Sequence, residues 1–89
     1  MTEQQVTINN RLGLHARAAA KVVHTANKFR SEIFIATDEE QVNAKSILGL
    51  LTLAATKGTL ISVRADGEDE GAAVTAIVDL LVSRFGEDE

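Results

Sequence analysis

Of the two histidines in the chain, one stands where it could do chemistry. His15 follows the glycine-containing stretch Asn9-Asn10-Arg11-Leu12-Gly13 and directly precedes a run of strong helix formers, residues 16–28. In the first turn of such a helix the backbone N–H groups of Ala16, Arg17 and Ala18 cannot bond within the helix and point at any anion nearby. The positive end of the helix favours neutral imidazole, the form whose lone pair can attack phosphorus. Arg17 adds a planar guanidinium suited to phosphate oxygens. Nucleophile, backbone donors and counter-charge thus fall within a few residues, and phosphoryl transfer depends mostly on such positioning and charge stabilisation. On spacing alone a plainer reading stands ahead of it: His15 merely begins a helix and Arg17 is a solvated charge.

The remaining chemistry is sparse. His24 lies nine residues on, close to the polar side of the same helix, and reads as a surface residue with at most an electrostatic role. No cysteine is present, which removes disulfides, thiolate metal sites and cysteine nucleophiles together. With two histidines and no carboxylate at ligand spacing beside either, no metal is expected, nor is a cofactor. A hydrolase would need a His–carboxylate–nucleophile set, and none occurs at recognisable spacing.

The charge distribution narrows the partners. The net charge is −4, from 9 Lys and Arg against 13 Asp and Glu. The acids gather late, at Glu68-Asp69-Glu70 and Glu87-Asp88-Glu89, while Arg11, Arg17, Lys21, Lys28 and Arg30 lie in the first third. Such a chain is a poor nucleic-acid binder but suits a compact anion or an acidic protein surface. Its length, 89 residues, points to one domain over residues 1–89. The polar start and the absence of a long apolar run predict no signal peptide and no membrane insertion, hence a cytoplasmic protein.

The elements that must position His15 follow from periodicity. Val6 and Ile8 alternate with polar neighbours, predicting a strand over residues 4–9. In the helix over 16–28, Ala19, Val22, Val23 and Ala26 form one apolar face. A β-rich run at 32–37 turns at Asp38-Glu39-Glu40 into a short strand near 41–44. Ser46 is a good N-cap for a helix from Ile47 to about Thr56, stopped by Gly58. A strand through Leu60, Ile61, Val63 and Ala65 turns at Asp66-Gly67. Glu68, Asp69 and Glu70 then suit the positive end of a last helix, whose core stripe is Val74, Ile77, Val78, Leu81 and Phe85. The order β-α-β-β-α-β-α implies an α+β fold with a mainly antiparallel sheet and helices on one face.

Gly13-Leu14-His15-Ala16-Arg17 with Ala19-Ala20 resembles the active-site signature of the HPr family, histidine-containing phosphocarriers of the bacterial phosphoenolpyruvate-dependent phosphotransferase system. Lys45-Ser46-Ile47-Leu48-Gly49 resembles the family's regulatory serine site, and Ala55-Thr56-Lys57-Gly58 and Asp66-Gly67-Glu68-Asp69-Glu70 are also similar. The resemblance covers essentially the whole chain. It implies an open-faced β-sandwich, a four-stranded antiparallel sheet with three helices on one face. It implies that His15 takes a phosphoryl group through Nδ1 from phosphorylated Enzyme I and passes it to an enzyme IIA domain, with Arg17 stabilising the transfer. Ser46 would be the acceptor for an HPr kinase/phosphorylase where one is present. Such a protein is a carrier in sugar transport and its regulation, not an enzyme turning over a small substrate, and a monomer is expected.

One position departs from the family pattern. Many members have proline after the arginine, where this chain has Ala18, which keeps the helix and adds a backbone donor. The nitrogen-branch paralogue NPr remains an alternative, although the intact Lys45-Ser46-Ile47 favours HPr, and His15 argues against Crh, which lacks the histidine.

The second helix, with Ile47, Leu48, Leu50, Leu51 and Leu53, has almost no polar face. Hydrophobicity alone leaves it open whether this is a core helix or a partner patch. The resemblance places Ile47, Leu48 and Leu51 outward beside the His15 loop, with Leu50 and Leu53 inward. Lys45, Lys21 and His24 complete the expected partner surface. Two rivals remain: a module that holds an anion without a covalent step, and an RNA-recognition fold, which shares β-α-β-β-α-β but needs sheet aromatics and a basic face that this chain lacks.

Overall fold

Strand alternation decides which side of the sheet is covered. In the computed structural model, which describes residues 1–53, 55–83 and 85, the chain forms β1 (Thr2–Thr7), α1 (Ala16–Ala26), β2 (Glu32–Ala36), β3 (Gln41–Asn43), α2 (Ile47–Leu53), β4 (Leu60–Asp66) and α3 (Glu70–Val82). The strands build one antiparallel sheet in the order β1-β4-β2-β3. Ile33 and Ile35 of β2 and Ile61, Val63 and Ala65 of β4 are buried on one face. The alternate residues Arg64, Glu3 and Gln41 lie on the other, where Arg64 donates to both Glu3 (2.7 Å) and Gln41 (2.8 Å). The helices cover the apolar face: α3 lies against β1, β4 and β2, α2 against β3, and α1 packs on α2 and α3. This is the expected open-faced sandwich, and no helix among the described residues is long and apolar enough to cross a membrane.

The expected elements are all present, with boundaries set by tertiary hydrogen bonds. β1 begins two residues earlier than predicted because its ladder with β4 runs from Thr2↔Ala65 to Thr7↔Leu60. Ile8 then bonds the Gly58–Thr59 segment beyond the strand. α1 closes at Ala26, not at 28, as Lys28 and Phe29 donate to carbonyls three residues back and tighten the last turn. Ser46 does cap α2: its Oγ accepts from Gly49 N–H at 3.0 Å. The helix is shorter than predicted, ending at Leu53, with Ala54 outside the described residues. The Ala55 carbonyl serves Leu14 N–H, and Thr56 bonds to Thr59, so neither continues the helix. Phe85 belongs to the core as expected, but it lies beyond the end of α3 in a left-handed conformation (φ 58°) and reaches the core from there.

The acidic turn before α3 does more than face a helix dipole. Glu70 sits in the first turn and accepts from Thr2 Oγ1 at 2.5 Å. Asp69 makes no cap bond; its carboxylate reaches across to the segment between α1 and β2. It accepts from Ser31 Oγ (2.5 Å), Ser31 N–H (2.9 Å) and Arg30 N–H (2.9 Å). The Ser31 hydroxyl foremost, then the backbone donors, hold the Asp69 carboxyl below the usual carboxylate range, at about 2. Gly67 makes the close approach possible, since a Cβ there would lie 2.7 Å from Ser31.

A depressed carboxyl stabilises the fold above its unfolded-chain value and loses that contribution as pH falls through its folded value. Urea midpoints measured against pH should therefore fall for the wild type between about 4 and about 2. Asp69→Asn should be less stable at neutral pH and show a flatter profile over that window; parallel profiles would contradict the assignment.

Candidate functional site

The loop between β1 and α1 is held from both sides. Asn10, Arg11, Leu12 and Gly13 form a turn in which Gly13 N–H donates to the Asn10 carbonyl at 3.2 Å. The buried Asn10 side chain returns a bond from Nδ2 to the Gly13 carbonyl at 2.8 Å. Leu14 is buried, and its N–H donates to the Ala55 carbonyl at 2.8 Å. Gly13 has a φ of +64°, and a Cβ on it would lie 2.5 Å from the Ala55 oxygen. Only glycine combines that backbone geometry with that proximity.

His15 follows as the N-cap residue of α1, in an extended conformation (φ −85°, ψ 179°). Its carbonyl accepts from Ala19 N–H at 2.8 Å, the first rung of the helix. The N–H groups of residues 16, 17 and 18 precede that rung and belong to the positive end of the helix. The imidazole makes no cap bond to α1 and is half-buried, while Arg17 on the first turn is exposed. The Ala18 side chain is buried, so alanine here contributes to the packing of α1 as well as to its propensity. This arrangement can present a nucleophilic nitrogen, backbone donors and a guanidinium at one helix end.

Beside this loop α2 divides its leucines. Leu50 and Leu53 are buried, whereas Leu48 is 77% exposed, Ile47 44% and Leu51 38%. Leu12, 55% exposed, adds an apolar side chain from the loop itself; nothing in the sequence pattern distinguishes it from an ordinary loop residue. Two lysines of the expected partner surface have internal partners. Lys21 Nζ donates to the Phe85 carbonyl and Lys45 Nζ to the Phe29 carbonyl at 2.9 Å, both half-buried. Each carbonyl lies just past the end of a helix, where the backbone is negative. His24 is exposed on the last turn of α1. Among the described residues, no three His, Cys, Asp or Glu side chains cluster as a metal site.

Residues 2–83 match the family described as "PTS HPr component phosphorylation site". Phosphocarrier protein HPr of Xylella fastidiosa (strain Temecula1) is 52% identical over 88 residues, 99% of each chain. Phosphocarrier protein NPr of Shewanella violacea is 46% identical over 85 residues, 96% of this chain and 93% of its own. The crystal structure of HPr-C-His from Thermoanaerobacter tengcongensis superimposes with a TM-score of 0.96 over the whole of both chains, at 46% identity.

Gly13→Ala should disturb the loop from its hinge. Left-handed strain and the clash with Ala55 predict a loss of about 2–4 kcal/mol in unfolding free energy, read by urea titration. A variant as stable as the wild type would mean that the loop does not depend on this contact.

Proposed function

The chain belongs to the HPr family of phosphotransferase-system phosphocarriers, and from that premise we propose that it carries a phosphoryl group on His15 from phosphorylated Enzyme I to an enzyme IIA domain. The observation that carries this reading is His15 at the N-cap of α1, on a braced loop, with no cap bond from its imidazole and with Arg17 two residues on in the first turn. In the forward step, neutral His15 holds its proton on Nε2 and attacks phosphorus through Nδ1. The Nδ1–P bond forms as the bond from phosphorus to the donor breaks. The N–H groups at the start of α1 and the Arg17 guanidinium offset the charge on the phosphoryl oxygens. In the second step an acceptor on enzyme IIA attacks the same phosphorus and returns His15 to its neutral state.

Ile47, Leu48 and Leu51, joined by Leu12, form the surface on which both partners dock, with His24 and the nearby basic residues at its margin. Their exposure and the burial of Leu50 and Leu53 support this reading. An apolar surface kept open for successive partners favours a protein that acts as a monomer. Ser46 is the regulatory acceptor for an HPr kinase/phosphorylase. A phosphoryl group there adds about −1.5 to −2 charge at the start of α2, where the helix tolerates it, and so acts on the partner's acidic groups rather than on the fold. The same Lys45-Ser46-Ile47 segment favours the sugar-system HPr over NPr.

Intact-mass spectrometry after incubation with phosphoenolpyruvate, Mg²⁺ and Enzyme I should show one acid-labile phosphate on the wild type and on His24→Ala. His15→Ala should take up none; uptake by His15→Ala, or none by the wild type, would move the assignment to non-covalent anion binding or another acceptor. Ser46→Asp should slow transfer from Enzyme I by about tenfold or more through weakened electrostatic steering. An unchanged rate would remove the regulatory role.

A further inference from the structure

The Gly13 carbonyl is used twice. It accepts the Asn10 side-chain amide at 2.8 Å and the His15 N–H at 3.0 Å, which occupies both of its lone pairs. The Asn10 side chain is therefore one oxygen removed from the backbone of His15. An asparagine that merely starts a turn uses its side-chain oxygen to accept an N–H two residues on. Here it is the amide nitrogen that bonds, donating forward to the carbonyl that orients the histidine. It does so from a fully buried position, although loop side chains of this type usually face water.

The other bonds of the segment hold this carbonyl from the far side of its own peptide and from the helix. Leu14 N–H is fixed on Ala55 and the His15 carbonyl on Ala19. Rotation of the peptide plane between Gly13 and Leu14 would break both the His15 N–H bond and the Leu14 bond to Ala55; the Asn10 amide opposes that rotation from the carbonyl side, where it holds the oxygen that His15 N–H uses. Gly13, without a Cβ, resists it least of any residue. We infer that Asn10 is a positioning residue for phosphoryl transfer: its Nδ2, through the Gly13 carbonyl, sets the orientation of His15 at the head of α1. This rests on the carrier reading for its kinetic consequence, but the geometric claim can be tested without any partner.

The test uses Asn10→Ala, which removes the donor, beside Ser31→Ala, which removes the hydroxyl bond to Asp69 and leaves the two backbone bonds between the α1–β2 and β4–α3 turns. Amide hydrogen exchange of His15 N–H and the imidazole ¹⁵N signals of His15 are measured by NMR, with His24 as internal reference. Asn10→Ala should speed His15 N–H exchange beyond the change in global stability and shift the His15 signals, leaving those of His24 in place. In steady-state transfer from phosphorylated Enzyme I, it should lower kcat about tenfold with KM changed by less than about twofold, since misorientation is felt in the reacting geometry. Ser31→Ala should lower stability and leave both readouts unchanged.

A folded Asn10→Ala with wild-type exchange, imidazole signals and kcat would overturn the inference. So would effects no larger than those of Ser31→Ala. If the alanine variant does not fold, Asn10→Ser keeps a polar group in the buried site but is too short to reach the carbonyl, and the same outcomes apply. If the wild type accepts no phosphoryl group, the carrier reading fails and the NMR measurements alone decide the role of Asn10.

Discussion

The bond from Leu14 N–H to the Ala55 carbonyl ties the loop that ends in His15 to the segment that leaves α2. It can form only because Gly13 lets two backbones approach within a distance that any Cβ would forbid. Through it the position of a helix start depends on the position of another helix's exit. The apolar surface of α2 and the polar head of α1 consequently keep a constant relation. The proposed carrier function needs that constancy, because on that reading each partner must find His15 at the same place relative to the surface it docks on.

The same economy appears in the charged residues. Lys21 and Lys45 could have formed a diffuse positive field, yet each ammonium is seated on a carbonyl beyond a helix end. That placement offsets the negative end of the helix and anchors the following chain, Phe85 in one case and Phe29 in the other. The two lysines thus serve internal anchoring, whereas Arg17 stands exposed at the start of α1.

Between the α1–β2 and β4–α3 turns, Asp69 performs the corresponding anchoring with a carboxylate. It gathers the Arg30 and Ser31 donors across a gap that Gly67 keeps narrow. Two close approaches, one at Gly13 and one at Gly67, therefore join the helical layer to its connections. In a domain of this size, with a core built mainly of aliphatic side chains, such bonded contacts supplement burial in defining a single arrangement.

Periodicity and turn chemistry were enough to read the order of elements, the face that α1 and α3 bury, the Ser46 cap and His15 at a helix start. These depend on residues close in sequence, where local sterics and hydrogen bonding dominate. Tertiary structure decided the rest. It chose the strand order β1-β4-β2-β3, which no local pattern encodes. It ended α2 early by turning the Ala55 carbonyl towards Leu14, and it exposed Ile47, Leu48 and Leu51, a choice that a helix apolar on nearly every side leaves open. It gave Asn10 its buried amide bond and the two lysines their carbonyls. Each of these is a contact whose partner's position is known only once the chain has folded, so hydrophobic spacing carries no record of it.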